Sequence, residues 1–181
     1  VVERPVVKPE VKMKLINIEP EKLHADCFTM IGKEWMLITA EKDGKVNTMT
    51  ASWGGMGILW NKKVAFIFIR PQRYTKEFVD AASHLSLTFF DESYRKQLSY
   101  LGRVSGRDED KIKNAELHVA YKNNIPYFEE ANTVILGRKL YMQEMKEENF
   151  LDKEILAKNY PNMDLHTMYV IEIEEVFTHQ Q

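Results

Sequence analysis

Val46 to Thr75 reads VNTMTASWGGMGILWNKKVAFIFIRPQRYT, and the order of residue types within it decides the fold. Thr48, Thr50 and Ser52 recur at every second position, as side chains on one face of a strand do. Gly54, Gly55 and Gly57 follow. Val64 to Ile69 is then apolar at every position. A strand with no alternating face is expected to be buried on both sides. Pro71 ends it, because proline lacks the N–H for another ladder bond. Thr75 is expected to cap a short helix, KEFVDAA, whose Phe78, Val79 and Ala82 form an apolar stripe.

Upstream, EWMLITAEKDGKVNTMTASW reads as two strands around Asp43-Gly44, since glycine accepts the positive φ of a tight hairpin turn. Downstream, HLSLTFF alternates through Leu85, Leu87 and Phe89, and ESYRKQLSYLG is a helix with Tyr94, Leu98 and Leu101 on one face, closed by Gly102. SGRDEDKIKNAEL reads as a loop and a helix capped by Asp108. NTVILGRKLYMQEM is a long strand with Val134, Leu136, Leu140 and Met142 on one face. TMYVIEIEEVF alternates again, and the intervening residues form a loop with a helical turn or two. Strands, a helical insertion and more strands do not make a regular β–α alternation. The pattern predicts a mainly β protein, a closed antiparallel barrel with helices packed outside.

The 181 residues suit one domain, and such a chain buries roughly 70% of its unfolded surface without staples. Pro5, Pro9 and Pro20 among alternating charges suggest an extended lead-in over residues 1–15, with the domain running from 16 to 181. With 25 basic and 27 acidic residues the formal charge is -2, which exerts no general pull toward nucleic acid or an anionic membrane. Neither is expected as a partner. The lone Cys27 fits a reducing compartment, so the expected location is cytoplasmic. The five histidines have no metal-ligand spacing, and His166 is read with the others as an ordinary surface or core residue.

No G-x-G-x-x-G, phosphate-loop or G-x-S-x-G signature occurs. What remains is an anion site in parts. The first N–H groups of a helix beginning at Thr75 are expected to be unpaired. Arg70 and Arg73 lie just before it, and a guanidinium fork matches phosphate oxygens. Thr48, Thr50 and Ser52 bring hydroxyls, while Met49, Trp53 and Tyr74 bring soft or flat apolar surface. A ligand with a phosphate at one end and a polar-edged aromatic system at the other, such as FMN, matches both parts. The competing reading makes the hydroxyl run a solvent face and pairs the arginines with Glu77 or Asp80.

The succession MLITA, NTMTASW, NKKVAFIFIRPQRYT, LSLTFF, SGRDEDK, YFEEA and LYMQE resembles the flavin reductase-like, flavoredoxin-like proteins over roughly Ile16 to Val176. NTMTASW and RPQRYT are its specific segments. The resemblance implies a six-stranded antiparallel split β-barrel, the FMN-binding split barrel, working as a homodimer with FMN near the subunit interface. It implies that Asn47, Thr48, Met49, Thr50, Ala51, Ser52 and Trp53 line the isoalloxazine and ribityl chain. Arg70, Arg73, Tyr74 and Thr75 would hold the phosphate side. Ser105-Gly106-Arg107-Asp108 resembles a loop that approaches the flavin, though Arg107 could equally serve in a salt bridge.

The implied activity is an oxidoreductase that passes hydride from a nicotinamide through FMN to an acceptor, with no side-chain nucleophile required. No nicotinamide fingerprint is visible, so NADH, NADPH and a protein carrier all stand open as donors. A flavoprotein electron carrier without a nicotinamide site, and a non-enzymatic barrel for another small ligand, are the alternatives.

Overall fold

The structure is a computed structural model and describes residues 14–179. The expected lead-in lies outside the described residues apart from Lys14 and Leu15. In chain order the elements are β1 (Leu15–Ile18), α1 (Cys27–Gly32), β2 (Met36–Lys42), β3 (Lys45–Ala51), β4 (Gly54–Leu59) and β5 (Lys62–Ile69). Then come α2 (Thr75–Ala81), β6 (His84–Phe89), α3 (Arg95–Arg103), α4 (Lys111–Asn114), β7 (Val119–Lys122) and β8 (Ile125–Phe128). β9 (Thr133–Glu144), α5 (Lys153–Asn159) and β10 (Thr167–His179) complete the set.

Two tight turns build the quoted stretch. Lys42 pairs with Lys45 across Asp43 and Gly44, both at positive φ, so the predicted hairpin forms β2 and β3. A second hairpin joins β4 to β5 through Trp60 and Asn61, at φ 54° and 56°. The sequence carries little signal for it, because tryptophan rarely adopts a left-handed turn conformation. β4 is itself glycine-rich, and the sequence pattern assigns it no element. Gly54 opens it at φ 151°, where an added Cβ would lie 2.7 Å from the Phe66 carbonyl oxygen.

All pairings in the main sheet are antiparallel, in the order β3-β2-β6-β9-β10-β5-β4, with β1 added on β10. β3 and β4 thus stand at opposite ends of this path, yet only Ser52 and Trp53 separate them in the chain. Three Cα steps span at most about 11 Å. The sheet must therefore curl until its ends meet, which makes a barrel with a seam between β3 and β4. The expected mainly β, split-barrel class holds. The main sheet has eight strands rather than six, and β7 and β8 form a separate ribbon.

Alternate residues of the barrel wall enter two cores. Ile38, Met49, Ile67, Ile69, Leu87, Ile135, Tyr169 and Ile171 pack inside, joined by Phe78 and Val79 from α2. Leu37, Val134 and Leu136 face outward into a second cluster with Leu98 and Leu101 of α3 and Phe128 of β8. β5 departs from the expected burial on both faces. Ala65, Ile67 and Ile69 are buried, but Phe66 and Phe68 on the outer face are only half-buried. Trp60 and Tyr141 stand exposed on the same flank, their ring centroids 6.1 Å apart.

Three helix boundaries differ from expectation. α3 continues through Gly102 to Arg103. Asp110, not Asp108, caps α4, its carboxylate accepting from the Lys113 N–H. α2 begins at Thr75 with no side-chain cap, because the Thr75 hydroxyl oxygen accepts instead from Asn47 Nδ2 at 2.9 Å.

Gly137 pairs with Leu85 on one side and Ile173 on the other. A Cβ there would collide with Ile171 Cγ2 and lie 2.8 Å from the Glu172 carbonyl oxygen. Gly137→Ala should therefore cost about 1–3 kcal/mol, as overpacked cores do. Urea unfolding monitored by tryptophan fluorescence checks it, and an unchanged midpoint would contradict this packing.

Candidate functional site

The seam holds a cleft of about 250 Å³ lined by Met49, Thr50, Ala51, Ser52, Trp53, Phe68, Arg70, Arg73 and His166. Seven of the eleven sequence-predicted site residues therefore share one wall. Among the described residues β3 pairs only with β2, so its other backbone edge has no ladder partner. That edge runs along the cleft. A larger cavity of about 680 Å³ lies between β1, α1 and the end of β10, but no arginine lines it.

Asn47, Thr48, Tyr74 and Thr75 do not line the cleft; they build its frame. Thr48 is fully buried, its hydroxyl donating to the Ile38 carbonyl at 3.0 Å and 2.9 Å from Thr39 Oγ1. Thr50 Oγ1 donates to the Leu98 carbonyl at 2.5 Å, tying β3 to α3. The hydroxyl run is thus not a solvent face. Asn47 joins β3 to Thr75 of α2, and Gly106 packs so closely that a Cβ there would overlap Asn47 Oδ1. Tyr74 lies between Lys45, at 5.0 Å, and Arg107, at 4.6 Å, and meets Phe78 edge-on.

The row of unpaired N–H groups expected at the start of α2 is shortened. Lys76 N–H donates to the Arg73 carbonyl and Glu77 N–H to the Tyr74 carbonyl, because the chain enters α2 through tight turns. Anion affinity at this site must come chiefly from side chains and from β3.

The two arginines have separate tasks, and neither pairs with Glu77 or Asp80; Arg107 takes Glu77 at 2.8 Å. Arg70 meets Asp164 Oδ2 at 3.1 Å, donates to the Asn159 carbonyl at 3.0 Å and lies 4.8 Å over the Tyr160 ring. It pins the β9–β10 connection beside the cleft. Arg73 donates through Nη1 to the Gly102 carbonyl at 2.8 Å. Its Nη2 is buried with no hydrogen-bond partner among the described residues. Burial lowers the affinity of this guanidinium for its proton, although arginine stays charged. An unanswered buried donor on a cation is costly, so Nη2 is poised for an acceptor.

Phe68 and His166 are the cleft residues the sequence did not mark as site residues, and His166 is the polar one. Its Nδ1 lies 2.6 Å from the Tyr160 hydroxyl, and its ring centroid 5.3 Å from that of Trp53. Burial, aided by Arg70, pulls its pKa from 6.5 to about 4, against the opposing pull of Asp164. It is a neutral imidazole at neutral pH. Only the folding of the β9–β10 connection brings it to the seam, so no local pattern could have flagged it. Among the described residues the lining contains no carboxylate and no thiol. It is suited to hold an anionic, flat molecule rather than to attack one.

An antiparallel barrel with a donor-rich seam is the class of protein this geometry defines. Residues 30–181 match the family model described as flavin reductase like domain, and the chain belongs to that family. No curated protein matches the sequence. Among solved structures it is similar to flavoredoxin from Methanosarcina acetivorans, at 21% identity over 82% of this chain and 69% of that one, with a TM-score of 0.65. It is similar to an FMN-binding domain of a flavin reductases-like enzyme from Shewanella baltica OS155, at 12% identity, 92% and 78% coverage and a TM-score of 0.68. It also resembles an FMN-binding protein from Thermus thermophilus with bound p-hydroxybenzaldehyde, at 20% identity, 81% and 71% coverage and a TM-score of 0.62.

The depressed pKa of His166 fixes a pH dependence. Between pH 6.5 and about 4 the unfolded chain takes a proton that the folded chain refuses. Stability is therefore lost as pH falls through that window. His166→Phe keeps a ring against Trp53 and removes the proton site. Melting temperatures from pH 7 to 4 should fall less steeply for the variant; parallel curves would refute the assignment.

Proposed function

We propose that this protein binds FMN in the seam and acts as a flavin reductase-like oxidoreductase, drawing electrons from NADH or NADPH and passing them to an acceptor. The observation that carries this reading is the buried, unpartnered Nη2 of Arg73 beside the free edge of β3. Arg73 would take a phosphate oxygen. Met49, Thr50, Ala51, Ser52 and Trp53 would hold the flavin through main-chain groups, the Ser52 hydroxyl and the indole face. Arg70 would contribute positive potential while it keeps the β9–β10 connection in place. Asn47 and Thr75, joined by their hydrogen bond, would hold β3 against α2, and Tyr74 would carry the loop around Gly106.

FMN supplies the hydride and electron chemistry when bound. The chain's part is to orient and to shield. Fixed N–H donors along β3 favour negative charge in the seam, since they need no reorganisation when charge appears. His166, held neutral and bonded to Tyr160, lines the cleft without adding charge.

A second copy of the chain fits the reading. A cleft of about 250 Å³ is small for a nucleotide-sized ligand, whose sites run to about 300–1,000 Å³. It opens beside the apolar flank of Phe66, Phe68, Trp60 and Tyr141, which a partner would cover. A homodimer completing the site, in the cytoplasm, is part of the proposal. No helix among the described residues is long and apolar enough to cross a membrane.

The purified protein should be yellow, or turn yellow with added FMN, and should bleach anaerobically with NADH or NADPH. Arg73→Ala should weaken FMN binding by about 1.5–3 kcal/mol, roughly ten- to a hundredfold, the range for a hydrogen bond to a charged group. A colourless protein that takes up no FMN rules the reading out. A yellow protein inert to both nicotinamides selects an electron carrier fed by another protein, the second reading, which the similarity to flavoredoxin supports.

A further inference from the structure

Beside half-buried Arg73 lies a second cation, and this one is fully buried. Lys111, in the first turn of α4, is only 3% exposed. Its Nζ donates to the Leu101 and Val104 carbonyls, each at 3.0 Å. Arg73 Nη1 donates to the Gly102 carbonyl, between those two. Two cations therefore converge on the last turn of α3, where the helix presents unpaired carbonyls and a partial negative charge. They divide these acceptors: Lys111 takes two, Arg73 takes one, and Arg73 keeps Nη2 free.

We propose that Lys111 is a positioning residue for the anion end of the cleft: by holding the Leu101 and Val104 carbonyls it leaves Arg73 Nη2 unclaimed and aimed at a bound phosphate. This rests on the flavin reading above and deepens it. Remove the Lys111 ammonium, and one buried and one partly buried carbonyl at the end of α3 lose their donor. Arg73 already holds the Gly102 carbonyl between them and carries a free N–H that can answer them, and turning to do so withdraws it from the ligand. Lys111 also adds positive charge to a poorly solvated site, which favours a phosphate over a neutral group.

Lys111 titrates within reach of experiment. Burial, then the charge of Arg73, lowers its pKa to about 8. α3 contributes Arg103, exposed in its last turn, and α4 and the loop before it contribute exposed Glu109, Asp110 and Lys113. A bound phosphate opposes Arg73 and favours the ammonium, so phosphate binding and Lys111 protonation reinforce each other. FMN affinity should fall as pH rises from 7.5 to 9.5. Riboflavin, which has the same ring without the phosphate, should show no such fall.

The test measures FMN and riboflavin affinities by flavin fluorescence quenching across that pH range, for the wild-type chain, Lys111→Met and Lys111→Arg. Lys111→Met should lose about tenfold of FMN affinity at pH 7.5, hold riboflavin affinity within about twofold, and show a flat FMN profile. Lys111→Arg keeps the charge but does not titrate, so it should bind FMN at pH 9.5 more tightly than the wild type does. It also decides the matter should the methionine variant fail to fold. FMN profiles of the same shape in wild type and Lys111→Arg, or equal losses for FMN and riboflavin in Lys111→Met, overturn the proposal and leave the flavin reading standing. No FMN uptake by the wild-type chain removes both.

Discussion

Everything in this structure depends on the shortness of one link. Ser52 and Trp53 alone connect the two ends of a seven-strand path, so the sheet cannot lie open. Closure brings the unpaired edge of β3 against the end of β5 and the arginines that follow it. The cleft exists because the seam cannot be sealed by a ladder. Gly54 is the hinge of this closure, since any side chain there would strike the Phe66 carbonyl.

The two arginines show how one short motif can serve two purposes. Arg70 is saturated by Asp164, the Asn159 carbonyl and the Tyr160 ring, and its work is to fasten a long connection to the barrel. Arg73 is half-saturated and inward-facing, with a donor left over. Residue type does not separate these roles; the partner list does. Charge in the region is arranged in depth, from Arg107 and Lys45 on the outside of Tyr74, through Arg73, to Lys111 behind α3.

Much of the barrel is legible in the sequence. The Asp43-Gly44 turn and the existence of β6, β9 and β10 are local signals that hold, but the single apolar face expected of β9 does not: a register break at Leu140 interrupts the alternation, and Met142 stands exposed. β4 was not legible, because its glycines and the left-handed Trp60 contradict strand and hairpin propensity, and only pairing with β5 overrides them. Nor was the half-exposure of Phe66 and Phe68, since an apolar strand looks alike whether its outer face meets its own chain or another surface. At the site, the run from Met49 to Trp53 and the arginines were visible as residue types. Thr75 misled, because a threonine before a helix reads as a cap whether or not an asparagine from β3 claims its oxygen. His166 and Lys111 were invisible, for each reaches its place through contacts distant in sequence.

The strand order also governs how the molecule can be made. β5 ends at Ile69 and its inner neighbour β10 begins only at Thr167, so the β4–β5 hairpin leaves the ribosome long before it has a wall to join. Until β10 emerges, an apolar ribbon with open backbone edges must wait. Barrel closure is therefore a late, cooperative event with high contact order, and folding should be slow for a chain of this size. Molecular chaperones would find their natural substrate in that waiting hairpin.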